Sequence, residues 1–137
     1  MALHRHHLAR GATLERAVGG TLRGVVDPDR EYFESLVADA LDELPEEFAR
    51  RMENVAVVVE EEPEGPLLGL YQGIPQTKRG PGYGGVLPDV ITIYRGPLMR
   101  HGGKDLRAAV RKTVWHEIAH HFGISDEWLT EHGWAGP

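Results

Sequence analysis

The stretch that decides the fold is residues 105–126, DLRAAVRKTVWHEIAHHFGISD. It runs from Asp105 to Phe122 without a glycine or a proline, which favours an α-helix. Apolar side chains fall on more than one side of this helix, so we expect it to be a buried, central element. Gly123 is expected to end the helix in the left-handed conformation, and Ser125 to cap a final short helix.

This helix carries the motif H-E-x-x-H at residues 116–120. Positions i and i+4 lie one turn apart on one face, so His116 and His120 can point two imidazoles at one metal ion. Glu117 would lie beside that ion without binding it, where it can act as general base for the water that the metal activates. His121 is about 100° around the helix from His120, so we do not expect it to reach the same ion. The motif predicts a Zn²⁺ centre with Glu117 as the catalytic residue.

A catalytic zinc site uses three protein ligands, so one more is needed after the two histidines. Gly123 turns the chain, and Asp126 follows three residues later, which completes the pattern H-E-x-x-H-x-x-G-x-x-D. We therefore predict Asp126 as the third ligand. If Asp126 serves only to cap the following helix, Glu127 or His132 would take that place.

The composition excludes several other kinds of protein. The chain has 137 residues, which is enough for one domain with its own apolar core. It contains no cysteine, so disulfides, thiolate zinc fingers and cysteine nucleophiles are excluded. The net charge is −6, which argues against a nucleic-acid partner. No apolar stretch approaches the roughly 20 residues of a membrane span, and no targeting segment is recognised, so we expect a cytoplasmic protein that does not bind membranes.

The beginning of the chain divides into two parts. Residues 1–30 carry five arginines against three acidic residues and show little apolar periodicity. We predict that they form a flexible Arg/Gly-rich extension, and that a single domain spans residues 31–137. Apolar spacing predicts an amphipathic helix over residues 31–44. Pro45 ends that helix and opens a short second one over residues 46–52.

Three strands are predicted between these helices and the central one. Residues 55–59 form a run of valine and alanine that suits a central strand, and residues 67–71 and 90–94 are also apolar and of strand length. A glycine-rich loop over residues 73–88 separates the last two strands.

The sequence resembles the minimal zincin-like metallopeptidase family, small bacterial proteins with the H-E-x-x-H-x-x-G-x-x-D pattern, formerly a domain of unknown function. The resemblance covers residues 32–134 and is carried by FESLVADALDELPEEF, NVAVVV, LGLYQG, PDVITIYRGPL and TVWHEIAHHFGISD. It implies an α+β fold in which a small mixed sheet of about three to four strands packs on a central active-site helix and an N-terminal helix. It also implies a zinc-dependent peptidase with Asp126 as the third ligand.

Zincins bind their substrate as an added strand along a sheet edge. Residues 90–94 are our candidate for that edge, although a plain core strand fits the sequence equally well. Tyr94 and Tyr71 are candidate substrate-binding residues that could donate to the oxyanion, with a structural role as the alternative. Because the chain is small, a homodimer or a partner protein could complete the cleft.

Two functions of different kinds fit these residues. The first is hydrolysis of a peptide or protein substrate by zinc-activated water with Glu117 as general base, at low intrinsic activity if the cleft is open. The second is a non-catalytic, zinc-stabilised protein-interaction module. A structural zinc site is closed by a fourth protein ligand and needs no carboxylate beside the metal, so Glu117 favours the enzyme.

Overall fold

A computed structural model describes residues 3–9, 12–17, 28–75 and 88–131, except the side chains of residues 3–9, 12, 13, 15–17, 28, 126 and 128. The predicted loop over residues 73–88 falls largely outside these ranges. Within them, a mixed sheet packs against helices, which confirms the predicted α+β fold. No helix among these residues combines the length and the apolar composition that crossing a membrane requires.

The sheet has five strands in the part of the chain that is described. They are β1 (Leu3–Ala9), β2 (Ala12–Ala17), β3 (Val55–Glu60), β4 (Gly69–Gln72) and β5 (Asp89–Tyr94). Their order across the sheet is β1-β2-β3-β5-β4. The β2–β3 and β3–β5 pairs are parallel, and the β1–β2 and β4–β5 pairs are antiparallel. The valine-rich strand β3 therefore lies in the middle, as its sequence predicts.

The N-terminal segment differs from the sequence-based expectation of a flexible extension over residues 1–30. Strands β1 and β2 form a hairpin, and β2 pairs with β3 from Ala12–Val55 to Leu14–Val57. Leu14 is fully buried in the core. It is the single large aliphatic residue of β2, so the apolar alternation is too short to predict a strand. The domain boundary at residue 30 stays a prediction.

Five helices lie in the described ranges. They are α1 (Pro28–Asp42), α2 (Glu46–Ala49), α3 (Arg95–His101), α4 (Leu106–His121) and α5 (Asp126–Glu131). Four of them correspond to predicted helices. The exception is α3, which begins directly after the predicted strand over residues 90–94 and contains Gly96-Pro97, a pair that is typical of the end of a strand. Proline is tolerated in the first helical turn, where its missing N–H would have no partner.

Helix α4 occupies the central position that its sequence predicts. Its start is capped by Asp105, whose Oδ1 accepts from the N–H of Ala108 at 3.0 Å. Its end is turned by Gly123, which has a φ of 76°. The indole N–H of Trp115 donates to the Ala40 carbonyl at 2.8 Å and joins α4 to α1. These contacts fix the helix that carries the motif.

The core lies between the sheet and helices α1 and α4. Its fully buried side chains come from the sheet and from both helices, and include Phe33, Val57, Ile91 and Ile118. Each such side chain contributes on the order of 1.5–3 kcal/mol by leaving water. This packing holds α4 against the sheet, with the motif histidines at its C-terminal half.

Candidate active site

Helix α4 brings the two motif histidines together on one face. The Nε2 atoms of His116 and His120 lie 3.3 Å apart, and their ring centroids lie 5.0 Å apart. Zinc–nitrogen bonds of about 2.0–2.1 Å in a tetrahedral site would place two ligand nitrogens about 3.4 Å apart. The separation in this structure therefore fits two ligands of one zinc ion.

Glu117 is buried beside this pair and lies against strand β4. It is 8% exposed. A Cβ placed on Gly69 would lie 3.1 Å from Glu117 Cγ and 3.2 Å from its Oε2. A larger residue at position 69 would crowd the carboxylate. No local sequence pattern predicts this role of Gly69, because the approach of β4 to α4 is a contact between distant segments.

A cleft of about 440 Å³ opens next to His116 and Glu117. Its walls come from α3, from α4 and from the segment that leads into β4. The lining residues are Pro66, Leu67, Leu68, Gly69, Leu98, His101, Gly102, Ala109, Lys112, Thr113, His116 and Glu117. Its volume is within the roughly 300–1,000 Å³ of small-molecule sites. The cleft places open space directly beside the predicted general base.

The predicted third ligand, Asp126, is the first residue of α5, directly after the turn at Gly123. Its side chain and the whole of His132 lie outside the described residues, and Glu127 is exposed. Among the described residues, no group of three histidine or acidic side chains is arranged to hold a metal ion. The ligand roles of His116, His120 and Asp126 therefore stay predictions.

The prediction that residues 90–94 form an edge of the sheet is wrong. Strand β5 lies between β3 and β4, and β4 forms the outer edge of the described sheet. The Tyr94 N–H donates to the Leu68 carbonyl at 3.0 Å, and Gly69 is opposite Ile93. Hydrogen-bonding direction alternates along an antiparallel strand, so the Gly69 backbone groups face away from β5. The edge next to Glu117 is therefore β4.

The two candidate tyrosines occupy different surroundings. The Tyr71 hydroxyl donates to Asp89 Oδ2 at 2.5 Å. Its ring lies nearly parallel to that of His120, with an interplanar angle of 14° and 6.3 Å between centroids. Tyr94 is half-buried and is not among the residues that line the cleft. The oxyanion role of either tyrosine stays a prediction.

A second carboxylate, Asp89, is buried on another side of α4. Its Oδ2 lies 2.8 Å from Nδ1 of His121, which is fully buried. The N–H of Ile74 donates to Oδ1 at 3.4 Å. Because the carboxylate also accepts from Tyr71, Nδ1 of His121 carries the proton that it donates. A Cβ at Gly73 would overlap this carboxylate.

Asp89 is not predicted from the sequence as a residue near the site. It stands at the start of a β-branched strand, and its partners come from residues 71, 74 and 121. No local spacing connects these positions. A buried aspartate is recognisable here only once β4, β5 and α4 are assembled.

Exposed ion pairs hold the segment between β3 and β4. Arg100 donates to both oxygens of Glu62, at 2.8 and 2.9 Å. This hydrogen bonding lowers the pKa of the Glu62 carboxyl below its ordinary value and raises that of Arg100. Arg95 pairs with Glu61 at 2.7 Å. The segment that lines the cleft is thereby tied to α3.

The family model of the zincin-like metallopeptidases matches residues 46–134, well over half of the chain. The match includes the motif helix, the cleft-lining segment and the edge strand. The chain therefore belongs to the zincin-like metallopeptidase family, as the sequence resemblance implies. No curated protein matches the chain.

Proposed function

We propose that this chain is a zinc-dependent metallopeptidase that hydrolyses peptide bonds, with Glu117 as general base and His116, His120 and Asp126 as zinc ligands. The observation that carries the proposal is the 3.3 Å separation of the two histidine Nε2 atoms, with the Glu117 carboxylate lining the adjoining cleft. Membership of the zincin-like family supports the same class of reaction.

Each of these side chains has a separate role in the proposed reaction. His116 and His120 offer neutral Nε2 atoms to the metal, and Asp126 is the proposed carboxylate ligand. When bound, zinc supplies a Lewis acid that polarises a carbonyl and lowers the pKa of water to about 7. Glu117 takes a proton from the attacking water as the carbon–oxygen bond forms. It then gives a proton to the amine nitrogen as the carbon–nitrogen bond breaks, leaving a carboxylate and an amine.

Strand β4 is the proposed docking edge for the substrate backbone. An extended peptide can pair with the outward-facing N–H and C=O of Gly69. This pairing would run the peptide past Glu117, because Gly69 lies against that carboxylate. The edge proposed here replaces the one expected from the sequence.

The test is the variant Glu117→Gln, compared with Glu47→Gln, an exposed position on α2. Protein is purified without metal-affinity resin, zinc is measured by elemental analysis, and hydrolysis is measured on a mixed peptide library. We expect one zinc per chain in all three proteins. Hydrolysis should fall by about 10²–10⁴-fold in Glu117→Gln alone.

Two results would contradict the proposal. Unchanged hydrolysis by Glu117→Gln would remove Glu117 as the base. Zinc binding by the natural chain without cleavage of any peptide would favour the alternative, a non-catalytic zinc-stabilised protein-interaction module. A homodimer or a partner protein that completes the cleft stays a prediction, which sedimentation of the zinc-loaded protein would test.

A further inference from the structure

We propose that Tyr71 is a positioning residue for His120, and that the buried carboxylate of Asp89 holds the Tyr71 ring in place for this role. The inference rests on the proposed function, because His120 is one of the proposed zinc ligands. It goes further by assigning a role to the hydrogen-bonded group of Tyr71, Asp89 and His121, which the proposed reaction does not use.

The first argument is the contact between Tyr71 and His120. The His120 ring is half-buried near the C-terminal end of α4, and its χ1 and χ2 torsions must be fixed to hold its Nε2 toward that of His116. The Tyr71 ring lies nearly parallel to the His120 ring, at 14° and with 6.3 Å between centroids, so the two rings are offset. Offset aromatic rings attract each other at about 4.5–7 Å. The Tyr71 ring therefore favours one orientation of the imidazole.

The second argument is that Tyr71 is held at both ends. Its backbone pairs with Ile91 in the ladder between β4 and β5. Its hydroxyl donates to Asp89 Oδ2 at 2.5 Å. A hydrogen bond to a carboxylate is shorter and stronger than one between neutral groups. Because the ring is fixed at its Cα and at its hydroxyl, it forms a rigid surface against which His120 packs.

The third argument is that Asp89 connects this ring to the helix that carries His120. Its Oδ2 also accepts from Nδ1 of His121 at 2.8 Å, and His121 directly follows His120 in α4. The rings of Tyr71 and His121 also meet nearly edge-on, with 64° between their planes. The contacts thus run from α4 through His121, Asp89 and Tyr71 and return to His120. Asp89 stays a structural residue in this arrangement, since it acts on His120 only through Tyr71.

Gly73 offers a way to move Asp89 without changing its charge. A Cβ at Gly73 would overlap Cγ and Oδ1 of Asp89, whereas a Cβ at Gly65 would meet no atom within 4 Å. Gly73→Ala should therefore shift the carboxylate that holds Tyr71. Gly65→Ala is its matched control.

A purely structural role for Tyr71 makes a different prediction. Tyr71 packs against the apolar core, so the loss of its ring lowers the stability of the fold in either case. If packing is its only role, the zinc affinity of the folded chain stays unchanged. If it positions His120, the zinc affinity of the folded chain falls, because zinc binding must then also order the imidazole.

The experiment measures zinc affinity without turnover. Full-length protein is purified without metal-affinity resin, and zinc is titrated against a chromophoric chelator under conditions where urea unfolding shows each variant to be folded. We expect Tyr71→Leu to bind one zinc per chain about 10-fold more weakly than the natural chain. Tyr71→Phe should fall between the two, because it keeps the ring and loses the hydrogen bond. Val37→Ala, which removes packing at a fully buried position of α1, should leave the zinc affinity unchanged.

The metal-free chain provides a second readout. Three-bond couplings in NMR spectra report the χ1 torsion of His120. We expect a single staggered rotamer in the natural chain and in Val37→Ala, and an average over rotamers in Tyr71→Leu. Gly73→Ala should bind zinc more weakly than Gly65→Ala, and this pair decides the question if Tyr71→Leu fails to fold.

The outcomes separate this inference from the proposed function. Equal zinc affinities of the natural chain and Tyr71→Leu, or equal losses in Tyr71→Leu and Val37→Ala, would overturn the positioning role. A single His120 rotamer in metal-free Tyr71→Leu would overturn it as well. If the natural chain binds no zinc, and the His120 rotamer is averaged only in Tyr71→Leu, the proposed function is contradicted while the orientation of His120 by Tyr71 stands.

Discussion

Helix α4 contributes histidines to two histidine–carboxylate groups on different sides of the helix, and the carboxylate of the second group, Asp89, comes from β5. In the first, His116 and His120 turn their Nε2 atoms toward each other at 3.3 Å beside Glu117, on the wall of a cleft. In the second, His121 donates to Asp89 in the interior of the protein. His121 is 0% exposed and Asp89 is 3% exposed. The residue types are alike, and the surroundings differ.

The difference shows what separates a reactive site from a structural one. Both oxygens of Asp89 accept hydrogen bonds, from Tyr71, Ile74 and His121, so this carboxylate joins three segments of the fold. Glu117 instead borders open space, where water and substrate can approach. We therefore expect changes at Asp89 to act on stability and changes at Glu117 to act on hydrolysis.

The largest effect on stability is expected from Asp89→Asn. The neutral amide turns a donor toward groups that already donate, and leaving buried donors without their acceptor costs on the order of 3 kcal/mol. Urea unfolding measures the loss, and exposed Asp42→Asn is the matched control. The folded fraction should still bind one zinc per chain. A loss of stability below about 0.5 kcal/mol would contradict a structural role for the Asp89–His121 group.

A smaller loss is expected from Tyr71→Phe. It removes one hydrogen bond to the Asp89 carboxylate and keeps the ring beside His120, so stability should fall by about 1.5 kcal/mol. Exposed Tyr32→Phe should change nothing measurable. An unchanged unfolding midpoint with a 100-fold lower kcat would instead assign the Tyr71 hydroxyl to the oxyanion.

Glu117→Gln tests the other of the two groups, the one beside the cleft. Its free energy of unfolding should stay within about 1 kcal/mol of the natural chain, since the substitution keeps the shape of the side chain and removes a charge that serves chemistry. The same urea titration measures it. A loss as large as that of Asp89→Asn would erase the distinction between the two groups.

The smallest effect is expected at an exposed carboxylate, Glu62. The hydrogen bond from Arg100 lowers its pKa in the folded protein, so its contribution to stability is complete above the ordinary glutamate pKa of about 4.3 and is lost as the pH falls through the lowered value. Glu62→Gln should therefore lower the Tm slightly at pH 7 and not at pH 2. A larger difference at pH 2 than at pH 7 would contradict this sign.

The local part of the site could be predicted from the sequence. His116, Glu117 and His120 are neighbours on one helix, so their spacing alone places them together, and the glycine that ends the helix, Gly123, follows its last turn directly. The separation of the two Nε2 atoms agrees with that prediction. Helical periodicity and short signals of this kind need no knowledge of the rest of the fold.

The remainder depends on contacts between distant segments. The edge position of β4 follows from how β5 inserts between β3 and β4, which the apolar runs do not specify. Gly69 and Gly73 matter because carboxylates from other segments lie against them. Helix α3 is not predicted, because the proline in its first turn, Pro97, is equally typical of a segment that ends a strand. For β4 and the two glycines, the deciding partner is far away in the chain.

The hairpin of β1 and β2 has a practical consequence for handling the protein. Strand β2 of the hairpin pairs with one edge of β3. The sequence of β3, VAVVVE, is rich in β-branched residues and has no charge before its last residue. A chain cut just before α1 would leave the β3 backbone open to pairing with other copies, which promotes aggregation. Preparations for zinc analysis should therefore keep the hairpin, because a precipitate lacking metal would say nothing about the histidines.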